Sequence, residues 1–152
     1  MLFLILTIDM RRSILMLEHD DDDRYITGAV FRENNYAVDI HFVESCNDLF
    51  AFLIACERTH MPLPRVMLLS YDVMRDEAVA TISALRQDRR YSHIPIVIVG
   101  GVADPGIVRA CYAAGASSFI RKPASGAEVT SRIGSFFHYW FETVELPENH
   151  LH

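Results

Sequence analysis

The chain has 152 residues, of which 51% are hydrophobic, and its formal net charge at pH 7 is -6. This length and apolar content suit one globular domain with a sizeable core. The acidic balance, with an unbroken acidic run at residues 20–23, argues against nucleic acid and anionic membranes as partners. The odd number of cysteines and the lack of a C-x-x-C spacing indicate buried, reduced thiols in a cytoplasmic protein. They are Cys46, Cys56 and Cys111.

The first residues form an apolar run that is too short to span a bilayer. Arg11 and Arg12 follow this run, whereas the positive residues of a secretory signal precede its apolar part. We therefore expect an N-terminal appendage over residues 1–12, a domain over residues 13–142 and a tail over residues 143–152.

Two strands are predicted in the first third of the domain. An uninterrupted apolar run over residues 13–17 predicts a buried strand that ends in Glu18 and His19. The acidic cluster that follows suits a helix start, because carboxylates cap free N–H groups and oppose the helix dipole. Residues 37–43 predict the second strand, and residues 45–48 have the form of a capping box for the next helix.

The central strand is predicted within residues 65–72, a buried-strand pattern that ends abruptly in polar residues. Binding and catalytic residues of open parallel sheets lie just past the carboxyl ends of the strands. Ser70 and Asp72 follow the apolar part of this strand, so they lie where a site would be. A helix over residues 76–89 is predicted next.

The fourth strand is predicted over residues 94–99, the most β-branched run of the chain, and it ends in Gly100 and Gly101. Asp104, with a proline after it, predicts a helix N-cap, and Gly115 predicts the end of that helix.

A short fifth strand over residues 117–120 precedes Lys122, and a capping box at residues 125–128 opens the last helix. Aromatic residues wrap more than one face of this helix, and exposed aromatic side chains are favourable interface anchors. We therefore expect a homodimer or partner surface there. Its expected anchors are Phe137, Trp140 and Phe141.

Alternating strands and helices predict a doubly wound α/β fold, because parallel neighbours need crossover connections of this length. For five strands, the flavodoxin-like order 2-1-3-4-5 with helices on both faces is expected. This order gathers the polar residues that follow the strands at one edge of the sheet. They are Glu18, His19, Ser70, Asp72, Gly100, Gly101 and Lys122.

Four motifs together resemble the receiver domain of two-component response regulators. They lie at residues 14–20, 68–70, 94–99 and 119–123, within a match that covers about residues 13–141. The ending of the chain is similar to that of small stand-alone receivers associated with bacterial phytochromes. The resemblance implies the flavodoxin-like fold and a signalling partner such as a sensor histidine kinase or a photoreceptor.

The resemblance also implies chemistry at five positions, and three of them differ here. Receivers accept a phosphoryl group on an aspartate at the position of Ser70, and they bind Mg²⁺ through an acidic pair that corresponds to Glu18 and His19. A threonine or serine that contacts the phosphoryl group corresponds to Gly100. The positions that keep the family's residue types are Lys122 and the aromatic switch position, Phe119.

These differences change the expected chemistry. A serine hydroxyl needs a base and yields a stable ester, whereas a carboxylate attacks as an ionised nucleophile. Loss of two carboxylates leaves Mg²⁺ binding weak or absent, since Mg²⁺ requires hard oxygen ligands. Lys122 is expected to turn to Glu18, Asp20 or solvent. The weak candidates for metal ligands are Glu18, Asp20 and Asp72.

The main prediction is therefore a pseudo-receiver that is not an enzyme and that signals through protein–protein contacts without aspartyl phosphorylation. One alternative is a receiver that is phosphorylated on Asp72. A second is a module that senses an anion or small ligand through Gly100, Gly101 and Lys122. A hydrolase that uses Ser70, His19 and Glu18 is disfavoured, because adjacent strand residues point to opposite faces.

Overall fold

A computed structural model of the chain describes residues 12–101, 104–122 and 126–147. Its five strands are β1 (Arg12–Leu17), β2 (Val38–Val43), β3 (Val66–Ser70), β4 (Ile96–Gly100) and β5 (Ser118–Arg121). They form one sheet in the order β2-β1-β3-β4-β5, and every neighbouring pair is parallel. The predicted fold class and strand order are confirmed.

Six α-helices connect or follow the strands within the described ranges. They are α1 (Asp21–Glu33), α2 (Cys46–Arg58), α3 (Tyr71–Met74), α4 (Ala78–Gln87), α5 (Pro105–Ala114) and α6 (Gly126–Phe137), and α6 continues as a π-helical segment over His138–Thr143. Within these ranges, no helix has both the length and the apolar character needed to cross a membrane.

The predicted single helix over residues 76–89 is wrong in its bounds. The chain becomes helical directly after β3 and forms the short α3, a 3₁₀ turn over Arg75–Glu77 and then α4. The interruption lies at Arg75, whose φ of 46° is outside the helical region. The Arg75 guanidinium Nε donates to the carbonyl oxygen of Asp72 over 3.1 Å, which stabilises the turn.

The two faces of the sheet bury separate cores. Alternating residues of β1 divide between them: Leu15 and Leu17 belong to the core beneath α2, α4 and α5, and Ile14 belongs to the core beneath α1 and α6. The three predicted buried thiols lie in the first core, and none forms a disulfide. Helices therefore cover both faces, as the doubly wound topology requires.

Predicted helix caps are present where the structure describes them. The Asp20 carboxylate accepts from the Asp23 amide over 3.0 Å, and the Ser45 hydroxyl accepts from the Asp48 amide over 3.1 Å. Asp104 accepts from two amides at the start of α5. The capping box predicted at residues 125–128 includes Ser125, which lies outside the described residues, as do residues 1–11 of the predicted appendage and residues 148–152 of the predicted tail.

The aromatic end of the chain packs against the chain itself. Phe137 and Phe141 are 6% and 5% exposed, and the ring of Phe137 stacks on that of Tyr36 with 3.9 Å between centroids. Arg12 donates to the Phe141 carbonyl over 2.9 Å, and Arg65 donates to the Trp140 carbonyl over 3.2 Å.

The expectation that Phe137 and Phe141 are exposed anchors is therefore wrong, because both rings belong to the core beneath α1 and α6. Trp140 is half-buried, and the neighbouring Tyr139 is 51% exposed. Their rings form an edge-on pair with centroids 4.9 Å apart. The aromatic surface is smaller than the sequence pattern indicates, and the predicted homodimer stays a prediction.

Gly115 ends α5 in a conformation that other residues rarely adopt, with φ of 120°. A Cβ atom here would lie 2.5 Å from Cγ of Arg86, whose Nε donates to the Gly115 carbonyl over 2.7 Å. Gly115→Ala is expected to lower the free energy of unfolding by at least about 2 kcal/mol, as measured by urea denaturation.

The matched control is Gly134→Ala, inside α6. A Cβ atom there makes only an ordinary contact, 3.4 Å from the Tyr36 hydroxyl, so helix propensity should stabilise this variant by up to about 1 kcal/mol. A Gly115→Ala protein as stable as the native chain would contradict this description of the turn before β5.

Candidate functional site

Parallel register brings the ends of β1, β3 and β5 to one edge of the sheet. Ser70 is paired with Val99 of β4, and Val99 is paired with Ile120 of β5. Two backbone hydrogen bonds extend the sheet by one residue, from the Glu18 amide to the Val43 carbonyl over 3.0 Å and from the Lys122 amide to the Gly100 carbonyl over 2.8 Å. Glu18, Ser70 and Lys122 line the same cavity as a result.

A cluster of three charged side chains closes this edge. The Lys122 ammonium Nζ lies 3.4 Å from Oε1 of Glu18 and forms an ion pair with Oδ2 of Asp23. Glu18 is buried, whereas Lys122 and Asp23 are partly exposed. With two carboxylates and one ammonium, the ionised cluster has a net charge of -1, so Lys122 does not carry an unbalanced positive charge.

Sequence reasoning named Glu18 as a partner of Lys122 and missed Asp23. It also offered Asp20 or solvent as alternatives, but the Asp20 carboxylate caps the first turn of α1. The N-cap position of Asp20 places Asp23 in the first helical turn, beside the end of β1, but it does not fix the direction of the Asp23 side chain.

Burial and neighbouring charges shift the ionisation of this cluster. Burial raises the pKa of Glu18 above its ordinary value, the neighbouring Asp23 adds to the rise, and the charge of Lys122 offsets only part of it. Burial by itself would lower the pKa of Lys122. The hydrogen bond with Asp23 and the charges of both carboxylates outweigh this effect, so its pKa lies above the ordinary value. Lys122 therefore stays protonated at neutral pH.

Ser70 ends β3 and stands at the N-cap position of α3. Its side chain is buried, with 6% of the residue exposed, and its hydroxyl makes no hydrogen bond to any described residue. The hydroxyl borders the cavity instead. The position where a receiver carries its acceptor carboxylate thus holds a small polar group without a general base beside it.

The predicted His19 position lies outside this arrangement. The His19 side chain is 60% exposed, and its Nδ1 lies 3.7 Å from Oε2 of Glu18. In the described part of the chain, no hydrogen bond or ion pair joins His19 to Ser70. The structure therefore does not assemble these two residues with Glu18 into the line of nucleophile, base and orienting acid that hydrolysis requires.

Asp72 points away from the cluster. Its Oδ2 accepts from the amide of Gly101 over 3.3 Å, and Asp72 does not border the cavity that Ser70 and Lys122 line. Its carboxylate thus faces the loop after β4. The same contact occupies the Gly101 amide, one of the N–H groups on which the predicted anion site around Gly100, Gly101 and Lys122 depends.

The candidate metal ligands have separate partners. Glu18 pairs with Lys122, Asp20 caps α1, and Asp72 accepts from Gly101. No group of three or more His, Cys, Asp or Glu side chains among the described residues is arranged to hold a metal ion. The expectation that Mg²⁺ binds weakly or not at all stays a prediction.

Phe119, at the aromatic switch position, lies on the opposite face of the sheet. Its half-buried ring packs against the core beneath α2, α4 and α5, with its centroid 6.5 Å from that of Tyr71. Its amide donates to the hydroxyl oxygen of Tyr112 over 3.0 Å. The ring therefore packs inward in this structure.

The ion cluster generates a pH-dependent prediction. Lys122→Met removes the ammonium group and keeps an apolar stem, so Glu18 stays buried without the charge that lowers its pKa. We expect a further rise in the pKa of Glu18, measured by NMR titration of its carboxyl carbon. We also expect a loss of about 2 kcal/mol in the free energy of unfolding near pH 7.

The difference in the free energy of unfolding between Lys122→Met and the native chain should become smaller at acidic pH. Below the pKa values of the carboxyl groups, neither protein carries the charges that Lys122 balances, so the deficit appears as the pH rises through the pKa of Glu18 in the variant. Arg121→Met, which removes an adjacent exposed cation, is the control and should change stability little. A deficit in Lys122→Met that does not depend on pH would contradict the proposed charge balance.

Comparison with known proteins gives structural matches alone. No protein-family model and no curated protein sequence matches the chain. The response regulator RPA3017 in red light signalling of R. palustris is similar, with a TM-score of 0.81 and 24% identity over 90% of this chain and 99% of that one.

Two further solved structures resemble the chain. The Mn²⁺-bound response regulator Rcp1 has a TM-score of 0.79 and 20% identity over 90% of this chain and 99% of that one. The phosphorylated cyanobacterial phytochrome response regulator RcpA has a TM-score of 0.81 and 16% identity over 91% of this chain and 99% of that one. The chain therefore has the flavodoxin-like fold of response regulator receiver domains.

Proposed function

We propose that the chain is an atypical receiver domain that transmits a signal through protein–protein contacts and takes no aspartyl phosphate. The observation that carries this proposal is Ser70, which is buried at the end of β3 without a hydrogen-bonding base among the described residues. A carboxylate at this position is ionised and needs no activation, whereas a hydroxyl requires a base to become a nucleophile. The position therefore lacks the group on which reversible acyl phosphate chemistry depends.

The charge around Lys122 supports the same proposal. The resemblance makes Lys122 one of the five chemical positions of a receiver, and an unpaired ammonium group there would attract a phosphate. Here Glu18 and Asp23 already surround the ammonium group. An incoming phosphate would meet two carboxylates at short range, and like charges at such distances repel strongly where water is partly excluded.

The residue types around the site also argue against Mg²⁺ as a cofactor. His19 and Ser70 replace two carboxylates of the family's acidic site, and Glu18 is paired with Lys122. Without hard anionic ligands, the site lacks the charge that draws Mg²⁺ from water. We therefore propose that the domain works without this metal.

Phosphorylation of Asp72 is the second candidate, since this carboxylate is only partly buried. Asp72 is bound to the Gly101 amide, however, and does not border the cavity that contains Lys122. Transfer to it would require a shift of the α3 segment, and an ångström of misplacement is costly for an in-line displacement. The geometry therefore favours the first candidate.

The neighbours' names suggest the kind of partner. One similar protein takes part in red light signalling, and another is a phytochrome response regulator. We propose that this domain contacts a signalling protein of the same kind, such as a sensor histidine kinase or a photoreceptor, in the cytoplasm. The half-buried Trp140 and the exposed Tyr139 belong to the surface that we assign to this contact or to a homodimer.

The test is intact-mass spectrometry after incubation of the full chain with Mg²⁺ and acetyl phosphate. The native chain is expected to gain no phosphoryl group. The double variant His19→Asp, Ser70→Asp restores the acidic side chains on the same scaffold, so we expect it to gain one that hydroxylamine removes.

Asp72→Asn in the native background is the control for the second candidate. If the native chain gains a hydroxylamine-sensitive phosphoryl group and Asp72→Asn does not, the proposal is wrong and Asp72 is the acceptor.

A further inference from the structure

An apolar cavity of about 140 Å³ lies between the sheet and the helices α1 and α6. Ser70, Val99 and Ile120 form a row across its floor, because they are paired in register on three neighbouring strands. Ile133 and Phe136 of α6 contribute to the opposite wall. The cavity belongs to the chain's own fold and reaches the edge where the strands end.

The volume indicates the size of a suitable ligand. An apolar protein cavity of about 150 Å³ remains free of water and accepts benzene. The cavity here is nearly as large, and its lining is predominantly aliphatic and aromatic. A molecule with a single six-membered ring matches both its volume and its surface.

One polar group in the cavity lacks a partner. Ser70 is 6% exposed as a residue, and it lines the cavity. Its hydroxyl makes no hydrogen bond within the described ranges, so it is free to donate to or accept from a molecule in the cavity. The charged residues that line the cavity differ from it. Glu18, Asp23 and Lys122 satisfy one another, and Arg132 donates to the Arg121 carbonyl over 3.4 Å. A charged ligand would therefore compete with an existing ion cluster, whereas a neutral hydroxyl finds an unused partner in Ser70.

From these observations we propose that the cavity binds a small neutral aromatic alcohol of the size of phenol, with its ring against the apolar walls and its hydroxyl bonded to Oγ of Ser70. The proposal goes beyond the signalling role, because it assigns a ligand site and a ligand class to the cavity. It also differs from the anion site predicted from Gly100, Gly101 and Lys122, which requires a negative ligand.

A bound ring contacts both helices that cover this face of the sheet. Ile26 and Phe31 of α1 line one side of the cavity, and Ile133 and Phe136 of α6 line another. Because the ligand binds the folded protein and not the unfolded chain, its binding stabilises the packing of both helices on the sheet.

The test is a titration of the full native chain with phenol and, separately, with benzene, followed by amide NMR. We expect saturable binding of both, with a Kd for phenol on the order of 1 mM for a ligand of this size. The largest amide shifts are expected at Ser70, Val99 and Ile120. Leu49, which is buried on α2 across the sheet, serves as the internal reference and should not shift.

Two variants distinguish the hydrogen bond to Ser70 from the apolar contacts of the ring. Ser70→Ala keeps the cavity and removes the hydroxyl. It should therefore raise the Kd for phenol about fivefold and leave the Kd for benzene within about twofold of the native value. Val99→Phe fills part of the cavity and should abolish the binding of both. Ser92→Ala, at an exposed position away from the cavity, is the control and should change neither affinity.

The proposal is overturned if the native chain shows no saturable shift with phenol up to roughly 20 mM, well above the Kd expected for this size. It is equally overturned if Ser70→Ala weakens the binding of phenol and of benzene to the same extent. The phenol hydroxyl would then make no specific hydrogen bond to Ser70. Thermal melts establish whether Val99→Phe folds, and the Ser70→Ala comparison decides the matter if it does not. Neither result depends on phosphorylation, so failure here is distinct from failure of the proposed signalling function.

Discussion

The ammonium group of Lys122 links the ends of two strands with the first turn of α1 at the carboxyl edge of the sheet. It follows β5, yet it contacts Glu18 after β1 and Asp23 in the first turn of α1. A buried carboxylate such as Glu18 is tolerated only with a cation or a proton beside it. This requirement keeps Lys122 turned toward α1, and it makes the protein's own carboxylates the partners of the one cation in the cluster.

The chemistry proposed for the site depends on this pairing and on Ser70 together. The resemblance to receivers implies an acceptor carboxylate, an acidic pair for Mg²⁺ and a lysine at this site. Here the carboxylate is replaced by a hydroxyl, and the lysine is neutralised. The scaffold, with its five parallel strands and covered faces, persists without these groups because it depends on apolar packing, which the site residues scarcely affect.

The fold could be predicted from the sequence because its signals are local. Buried strands appear as apolar runs, Ser45 and Asp104 mark helix starts, and topology alone brings Glu18, Ser70 and Lys122 to one edge. The ion pair with Asp23 could not be predicted in the same way. It depends on the direction of one side chain in the first turn of α1, and periodicity does not fix that direction.

The aromatic end of the chain shows a second limit of prediction from sequence. Aromatic residues on several faces of a helix favour an interface, but Arg12 and Arg65 bind carbonyl groups of the final π-helical segment and draw Phe141 into the core. Arg12 and Phe141 are 129 positions apart, so no local pattern signals their contact. The cavity beside Ser70 was likewise missed, because it arises where side chains from five strands and two helices leave space between them.

The proposal that the site lacks metal-dependent phosphoryl chemistry is tested by a Mg²⁺ titration of the full native chain followed by amide NMR. The double variant His19→Asp, Ser70→Asp is titrated beside it. We expect no saturable shift in the native chain up to roughly 10 mM Mg²⁺ and a saturable shift near Glu18 in the variant, where carboxylates provide hard oxygen ligands. Saturable binding by the native chain below about 1 mM, centred on Glu18 and Asp72, would contradict the proposal.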